Sequence, residues 1–226
     1  MMATAVSEHV GFDITDGVAV LELHRPAKRN ALSWAMCETI LAHLGAAAVH
    51  PEVHVLLIQG SSGVFCAGAD LTALKRADGS ESVSFRELVI ETATTLADFP
   101  VPTVARVEGP CIGAGCSLAL ACDIRFADPH ATFRIPAVQH GVVYDEGSIA
   151  RLAALVGPSR AARILYTGMP IDATQAERIG LVDESGHDLD RLVADCVGTI
   201  ATVDFGTVTA HRRLLRGLAR TEGNQR

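Results

Sequence analysis

Short apolar runs rich in β-branched residues alternate along this chain with longer segments in which apolar residues recur at helical spacing. Val53 to Ile58 is one such run, and a Gln-Gly-Ser-Ser-Gly turn follows it. A fully buried strand reads as a continuous apolar run of this length, because both of its faces meet other elements. The alternation therefore predicts an α/β fold of strand and helix units.

Turn and capping residues mark the boundaries of these units. Ser33 is a good N-cap for a helix that Pro51 ends, and prolines after Phe99 end another. The predicted strands are Gly17 to His24, Val53 to Ile58, Thr103 to Val107 and Asp123 to Ala127. The further predicted helices are Glu87 to Phe99, Ala114 to Cys122, Ile149 to Val156, Ser159 to Tyr166 and Val208 to Ala219. We expect one main domain over residues 10–170 and a helical region over residues 171–226.

The composition argues against several classes of function. A net charge of -7 and a pI near 5.7 disfavour a nucleic-acid-coating surface, which needs clustered Lys and Arg. We expect a cytoplasmic protein without membrane insertion, since the sequence has no apolar leader segment and no run of about 18 apolar residues. The six cysteines include no CxxC pair and the nine histidines form no ligand pair, so we expect reduced thiols and no metal site.

Two glycine-containing turns are the candidate sites for chemistry. Phe65-Cys-Ala-Gly-Ala-Asp-Leu71 and Gly109-Pro-Cys-Ile-Gly-Ala-Gly-Cys-Ser117 each follow a strand-like segment and lead into a helix-compatible one. Glycine lets the backbone bend tightly and approach a ligand, while the first N–H groups of a helix stay unpaired. Such donors can hold an oxyanion, although ordinary strand-to-helix turns have a similar composition. Neither turn has the spacing of a nucleotide-binding loop.

Four segments in this order make the chain resemble the crotonase (enoyl-CoA hydratase/isomerase) family over about residues 18–182. They are His24-Arg-Pro-Ala-Lys-Arg-Asn-Ala-Leu32, the two glycine turns, of which the second continues to Ile124, and Ala131-Thr-Phe-Arg-Ile-Pro136. The resemblance implies an α/β spiral of ββα units with residues 10–170 as its core. It also implies that residues 171–226 form a helical oligomerisation region of a homotrimer or a dimer of trimers. Fatty acyl-CoA thioesters are the implied binding partners.

The resemblance also implies roles for individual residues. The backbone N–H groups of Ala69 and Ala114 match the oxyanion hole that binds the thioester carbonyl. The segment that holds the CoA phosphates and adenine matches Arg25, Lys28, Arg29, Ala31 and Leu32. The other residues expected in the acyl-CoA site are Ala67, Gly68, Asp70, Leu71, Gly113, Ser117 and Ala137. Coenzyme A enters as part of the substrate, and the resemblance implies no other cofactor.

Ser117 and Ala137 occupy the two positions at which hydratases of the family carry catalytic glutamates. Hydration of an enoyl thioester needs a base for the water and an acid for the α-carbon, and neither serine nor alanine replaces a carboxylate. Asp145 and Glu146 lie in a nearby loop and are candidate acid–base residues. The alternative is that one of them caps the helix that begins near Gly147.

Two further mechanisms would use Asp145 differently. A nucleophilic Asp145 would suit a dehalogenase-like enzyme or a thioester hydrolase, but Ala137 replaces an expected tryptophan and only 4% of the residues are aromatic. A triad of Ser117, His140 and Asp145 is disfavoured, because Ser117 lies in a helix-compatible run and not on a strained nucleophile elbow.

The sequence leaves two classes of function open. One is a lyase or isomerase of the enoyl-CoA hydratase type, whose acid–base group is Asp145 or Glu146. The other is a non-catalytic protein that binds or carries acyl-CoA through the same oxyanion hole. Relatives usually extend further past the helix that matches Val208 to Ala219, so we also expect either a more open acyl pocket or a lid that comes from elsewhere.

Overall fold

The predicted apolar runs pair into one six-stranded sheet. The computed structural model of the protein describes residues 7–70 and 80–223. The strands of this sheet are β1 (Val10–Thr15), β2 (Val18–Leu23), β3 (Val55–Gly60), β4 (Thr103–Val107), β6 (Ile124–Ala127) and β9 (Glu184–Ser185). They lie in the order β1-β2-β3-β4-β6-β9, with β1 antiparallel to β2 and all other pairs parallel. The predicted strands are thereby confirmed, with bounds that differ by one or two residues.

A second, three-stranded sheet lies beside the first. Its strands are β5 (Pro110–Ile112), β7 (Thr132–Arg134) and β8 (Ile171–Asp172), in the order β5-β7-β8. The pair of β5 and β7 is parallel, and β8 is antiparallel to β7. Because β5 lies within the second glycine turn and ends just before Gly113, this small sheet fixes the position of the bend that follows.

Eight helices and two short 3-10 helices connect the strands of the described residues. The helices are α1 (Trp34–Ala48), α2 (Ser80–Ala97), α3 (Ala114–Ala121), α4 (Glu146–Val156), α5 (Pro158–Thr167), α6 (Ala173–Arg178), α7 (Leu189–Thr202) and α8 (Phe205–Gly223). The 3-10 helices are Pro26–Lys28 and Ala137–His140. The predicted cap of α1 is confirmed, since the Ser33 side chain accepts from the N–H of Met36. Helix α2 begins seven residues before the predicted Glu87.

The sequence analysis did not predict β1, although a signal for it was present. Asp16 and Gly17 both adopt positive φ, at 50° and 83°, in the two-residue turn that joins β1 to β2. An Asp-Gly pair between two alternating segments is a strong hairpin signal, because such turns require φ > 0 at both positions. The hairpin places β2 between β1 and β3. Alternate residues of β2 are buried because one face packs into the main core and the other is only partly covered.

Strand β3 reads as a continuous apolar run because both faces of the sheet are covered. Leu56 and Ile58 belong to the main core together with residues of α1. Val55 and Leu57 point to the opposite face, where they belong to a smaller cluster with residues of α7. Successive side chains of a strand alternate between faces, so one helix layer on each side buries the whole run.

The C-terminal region contributes more than helices to the fold. Strands β8 and β9 lie within residues 171–226 and extend both sheets. On α8, the buried Arg212 donates from Nε to Asp123 Oδ2 at 2.7 Å, and Arg216 Nη2 lies 3.1 Å from Asp123 Oδ1. The division into a core and an oligomerisation region stays a prediction. Among the described helices none is long and apolar enough by itself to cross a membrane, although the bent pair of α7 and α8 passes that test together.

Candidate functional site

The two glycine turns lie against each other. The N–H of Cys66 donates to the carbonyl of Pro110 at 3.0 Å, and the N–H of Ile112 donates to the carbonyl of Cys66 at 2.9 Å. These bonds form a parallel bridge between Cys66 and Cys111. Two turns that are separate in the sequence therefore lie side by side, joined by backbone hydrogen bonds.

Glycine is required where the two turns make their closest contact. A Cβ atom at Gly115 would lie 2.5 Å from the carbonyl oxygen of Cys66, a distance that real side chains do not adopt. Gly68 has φ of 102°, and a Cβ there would lie 3.0 Å from the Ile112 oxygen and 3.8 Å from the backbone nitrogen of Ala114. The glycines thus allow a backbone approach that any side chain would prevent.

The backbone N–H groups of Ala69 and Ala114 lie at this contact. On either side of Ala69, the carbonyl of Gly68 accepts from Leu32 and the N–H of Asp70 donates to Leu32, so the N–H of Ala69 faces away from that segment. Ala114 is the first residue of α3, where a helix N–H has no intrahelical acceptor. Neither N–H donates to an acceptor within residues 7–70 and 80–223. Within the described part of the chain, both donors are therefore available to an acceptor that the protein does not supply.

A hydrogen-bonded cluster of polar side chains lies beside the second turn. Tyr144 donates its hydroxyl to the carbonyl of Gly113 at 2.7 Å, and the Ser117 hydroxyl lies 2.7 Å from Tyr144 Oη. Asp145 Oδ2 lies farther from Ser117 Oγ, at 3.4 Å. Burial raises the pKa of Tyr144 well above its ordinary value, so its hydroxyl stays protonated at neutral pH. The sequence analysis assigned no role to Tyr144, although it precedes the candidate Asp145.

The prediction that a carboxylate caps the following helix is confirmed. Asp145 is the N-cap of α4, and its Oδ1 accepts from the N–H of Ser148 at 2.7 Å. Glu146 is in the first turn of α4 and is exposed. Capping uses one oxygen of Asp145 and leaves the other near Ser117, so capping and chemistry do not exclude each other. His140 is exposed, and no hydrogen bond joins it to Ser117 or Asp145 in the part of the chain that the structure describes.

The segment expected to hold coenzyme A contains an internal ion pair. Arg25 Nη1 donates to Asp70 Oδ2 at 2.8 Å and to the carbonyl of Ala31 at 3.1 Å, with the two side chains 19% and 8% exposed. Lys28 and Arg29 are exposed. The ion pair joins this segment to the first glycine turn. The positive charge of Arg25 is therefore already paired within the protein. A role of these three residues in binding phosphate stays a prediction.

Asn30 is a residue of this region that the sequence analysis missed. It is fully buried with φ of 56°, and its amide donates to the carbonyls of Ser61 and Val64 at 3.0 and 2.6 Å. Its Oδ1 accepts from the N–H of Arg25 at 2.8 Å. Asparagine is one of the few residues that tolerate positive φ. These contacts fix the Arg25 segment against the loop that leads to Phe65.

The remaining predicted site residues differ in burial and position. Leu32 and Gly68 are buried, whereas Ala31, Ala67 and Ala137 are partly exposed. Ala137 begins the 3-10 helix Ala137–His140. Leu71 lies outside the described residues.

The thiols near the turns are buried and reduced. Cys66, Cys111 and Cys116 are free thiols behind the two turns, and Cys111 Sγ lies 3.9 Å from Cys116 Sγ. Burial raises the pKa of Cys66 to about 12, so this thiol remains protonated at neutral pH. A protonated thiol is a weak nucleophile, which makes the prediction of inert, reduced cysteines consistent with the structure.

Comparison with known structures places this fold in the crotonase superfamily. The crystal structure of an enoyl-CoA hydratase/isomerase from Xanthobacter autotrophicus Py2 matches with a TM-score of 0.89 and 29% identity, over 96% of this chain and 81% of that one. A sequence profile of the enoyl-CoA hydratase/isomerase family matches residues 13–205. The chain belongs to the enoyl-CoA hydratase/isomerase family.

Two sequence relatives illustrate the range of proteins that this chain resembles. The 2,3-dehydroadipyl-CoA hydratase of Escherichia coli K12 is 36% identical over 167 residues, which are 74% of this chain and 65% of that protein. The mevalonyl-coenzyme A hydratase sidH of Aspergillus fumigatus is 34% identical over 210 residues, which are 90% of this chain and 75% of that protein. The chain thus spans about two thirds to three quarters of the length of these relatives.

Proposed function

We propose that this protein binds acyl thioesters of coenzyme A, with the N–H groups of Ala69 and Ala114 donating to the thioester carbonyl oxygen. The observation that supports this most directly is the pair of glycine turns, joined by backbone hydrogen bonds, at which neither N–H group has an acceptor among the described residues. The names of relatives include hydratases that act on two different CoA thioesters, which supports the same class of ligand.

The free energy that the two backbone donors contribute depends on the charge of the carbonyl oxygen that they bind. A hydrogen bond to a neutral thioester carbonyl contributes about 0.5–1.5 kcal/mol net. When the carbonyl gains enolate charge, each fixed donor is worth about 3 kcal/mol. The two donors therefore stabilise an enolate more than they stabilise the ground-state thioester. Hydratase and isomerase chemistry requires this difference. Side-chain changes at positions 117 and 137 leave these donors in place.

Turnover by way of Asp145 is the second part of the proposal. One oxygen of Asp145 caps α4, while the other lies 3.4 Å from Ser117, which is in the position of a family glutamate. This second oxygen is thus close to the side chain at position 117. Glu146 is exposed and is the weaker candidate. The alternative is a non-catalytic acyl-CoA-binding protein, in which neither Asp145 nor Glu146 transfers a proton.

Calorimetry and a hydration assay separate binding from turnover. We expect purified protein to bind butyryl-CoA, and we expect Asp145→Asn to reduce any hydration of crotonyl-CoA by a factor on the order of 10² or more. Glu146→Gln is the matched control and should keep the wild-type rate.

Three results would each have a clear meaning. No binding of butyryl-CoA would refute the proposed function. Binding without hydration by the wild type would identify a binding protein and refute the role of Asp145. Hydration that Asp145→Asn leaves unchanged would also refute that role.

A further inference from the structure

The carbonyl oxygen of Gly113 accepts two hydrogen bonds in a closed ring. One comes from the hydroxyl of Tyr144 at 2.7 Å, and the other from the backbone N–H of Ser117 at 3.1 Å. The Ser117 hydroxyl lies 2.7 Å from Tyr144 Oη. Because a carbonyl cannot donate, the single phenol proton of Tyr144 must point to Gly113, and Tyr144 Oη then accepts from Ser117. The direction of every bond in the ring is thereby fixed.

The Gly113 carbonyl and the Ala114 N–H belong to the same peptide group. This peptide is trans, so the direction of the carbonyl determines the opposite direction of the N–H. Gly113 has φ of 52° and ψ of -114°. Its N–H donates to the carbonyl of Arg134 at 2.8 Å, and its carbonyl accepts from Tyr144 and from the N–H of Ser117. The Tyr144 hydroxyl is therefore one of the two donors that restrain rotation of the Gly113–Ala114 peptide. The same bonds polarise the peptide and strengthen its N–H as a donor.

We propose that Tyr144 is a positioning residue of the oxyanion hole, because its hydroxyl aims and polarises the peptide whose N–H, on Ala114, binds the thioester carbonyl. This inference rests on the proposed function. Tyr144 acts indirectly, because its hydroxyl binds the carbonyl of this peptide and not the acyl group.

The same geometry accounts for serine at position 117. The Ser117 side chain is buried and ends 2.7 Å from Tyr144 Oη, so it supplies a donor to the phenol and leaves room for it. A glutamate side chain has three more non-hydrogen atoms than serine and would compete with the phenol for that space. A serine in place of the family glutamate thus allows the hydrogen bond between position 117 and Tyr144.

The test compares Tyr144→Phe with Tyr166→Phe. Tyr166 is the second of the two tyrosines and is 76% exposed on α5, so its variant loses a hydroxyl far from the turns. The probes are butyryl-CoA and S-butyl-CoA, a thioether without the carbonyl. Infrared difference spectra of bound butyryl-CoA, labelled with ¹³C at the carbonyl, report how strongly the donors polarise that carbonyl.

We expect wild type and Tyr166→Phe to bind butyryl-CoA more tightly than S-butyl-CoA and to shift the bound carbonyl band to lower frequency. In Tyr144→Phe, the preference for the thioester should fall roughly threefold or more, because one donor is misaligned. The band should move back towards its position in water. Binding of S-butyl-CoA should stay within about twofold of wild type, since that ligand does not use the N–H groups.

Three different results would overturn the inference. If wild type prefers the thioester and Tyr144→Phe keeps both the preference and the band position, the proposed function stands and the role of Tyr144 fails. Equal weakening of both ligands in folded Tyr144→Phe would mean a purely structural role and would also refute the inference. If wild type has no preference and no band shift, the oxyanion hole itself fails, and the inference fails with it.

Discussion

The substitution Gly115→Ala tests the close contact between the two glycine turns. The added Cβ would lie 2.5 Å from the Cys66 carbonyl oxygen and 2.8 Å from its Cβ. Both neighbours are buried, and the oxygen is part of the backbone bridge between the turns. The turns must separate by at least about 0.5 Å to reach the shortest contact that side chains normally make, which is overpacking of the kind that costs about 1–3 kcal/mol of stability.

The same separation should weaken ligand binding through the N–H groups of Ala69 and Ala114, which lie on opposite turns. Loss of alignment for one hydrogen bond to a neutral carbonyl costs about 1 kcal/mol, or roughly fivefold in affinity. We therefore expect calorimetry to give a roughly fivefold or greater loss for butyryl-CoA and a loss below about twofold for S-butyl-CoA. Urea denaturation measures the accompanying change in stability.

Gly45→Ala is the matched control for this substitution. Gly45 lies in α1, and no atom lies within 4 Å of its Cβ position. Alanine in a helix interior is more favourable than glycine by up to about 1 kcal/mol, so the control should be slightly stabilised with unchanged binding. If Gly115→Ala binds butyryl-CoA as tightly as the control does, the two turns do not jointly form the carbonyl site.

Three further substitutions test other contacts. Asp145→Ala should lower the free energy of unfolding by about 1 kcal/mol through loss of the α4 cap, and Asp145→Asn should lower it less. Equal free energies of unfolding for the two variants in urea would contradict the capping bond. Asn30→Ala should cost about 1–3 kcal/mol, because it leaves buried carbonyls without donors, and an unchanged midpoint would argue against those bonds. Burial alone would raise the pKa of Asp123, but the nearby Arg212 and Arg216 outweigh it and lower that pKa. The stabilisation is therefore present above the unfolded pKa of about 4 and lost as pH falls below it. Asp123→Asn should lower the free energy of unfolding by about 3 kcal/mol at pH 7. Between about pH 4 and pH 2, the variant should lose less of this free energy than wild type loses. Parallel curves of unfolding free energy against pH would refute this.

Four strands of the six-stranded sheet and most helices could be predicted because their signals are local. Val55 to Ile58 are apolar on both faces, and Ser33 and Asp145 are good caps, so short windows of sequence contain the required information. Strand β9 has only two residues and depends on pairing with β6, which no local pattern reveals. Similarly, the start of α2 at Ser80 precedes any clear apolar periodicity.

The candidate site could be predicted only in part for a related reason. The glycine turns have a recognisable composition, and the resemblance to a family identified Ala69 and Ala114. The contacts of Tyr144 with Gly113 and Ser117 join residues 27 to 31 positions apart, and only the packing of α3 against the start of α4 brings them together. The pairing of Arg25 with Asp70 likewise spans 45 positions. Trimeric assembly and cytoplasmic localisation stay predictions.

A crystal structure with bound butyryl-CoA tests the central claim most directly. The account predicts that the thioester carbonyl oxygen lies about 2.7–3.1 Å from the backbone nitrogens of both Ala69 and Ala114. A bound thioester whose carbonyl oxygen contacts neither nitrogen, while both N–H groups bind water or protein acceptors, would contradict it.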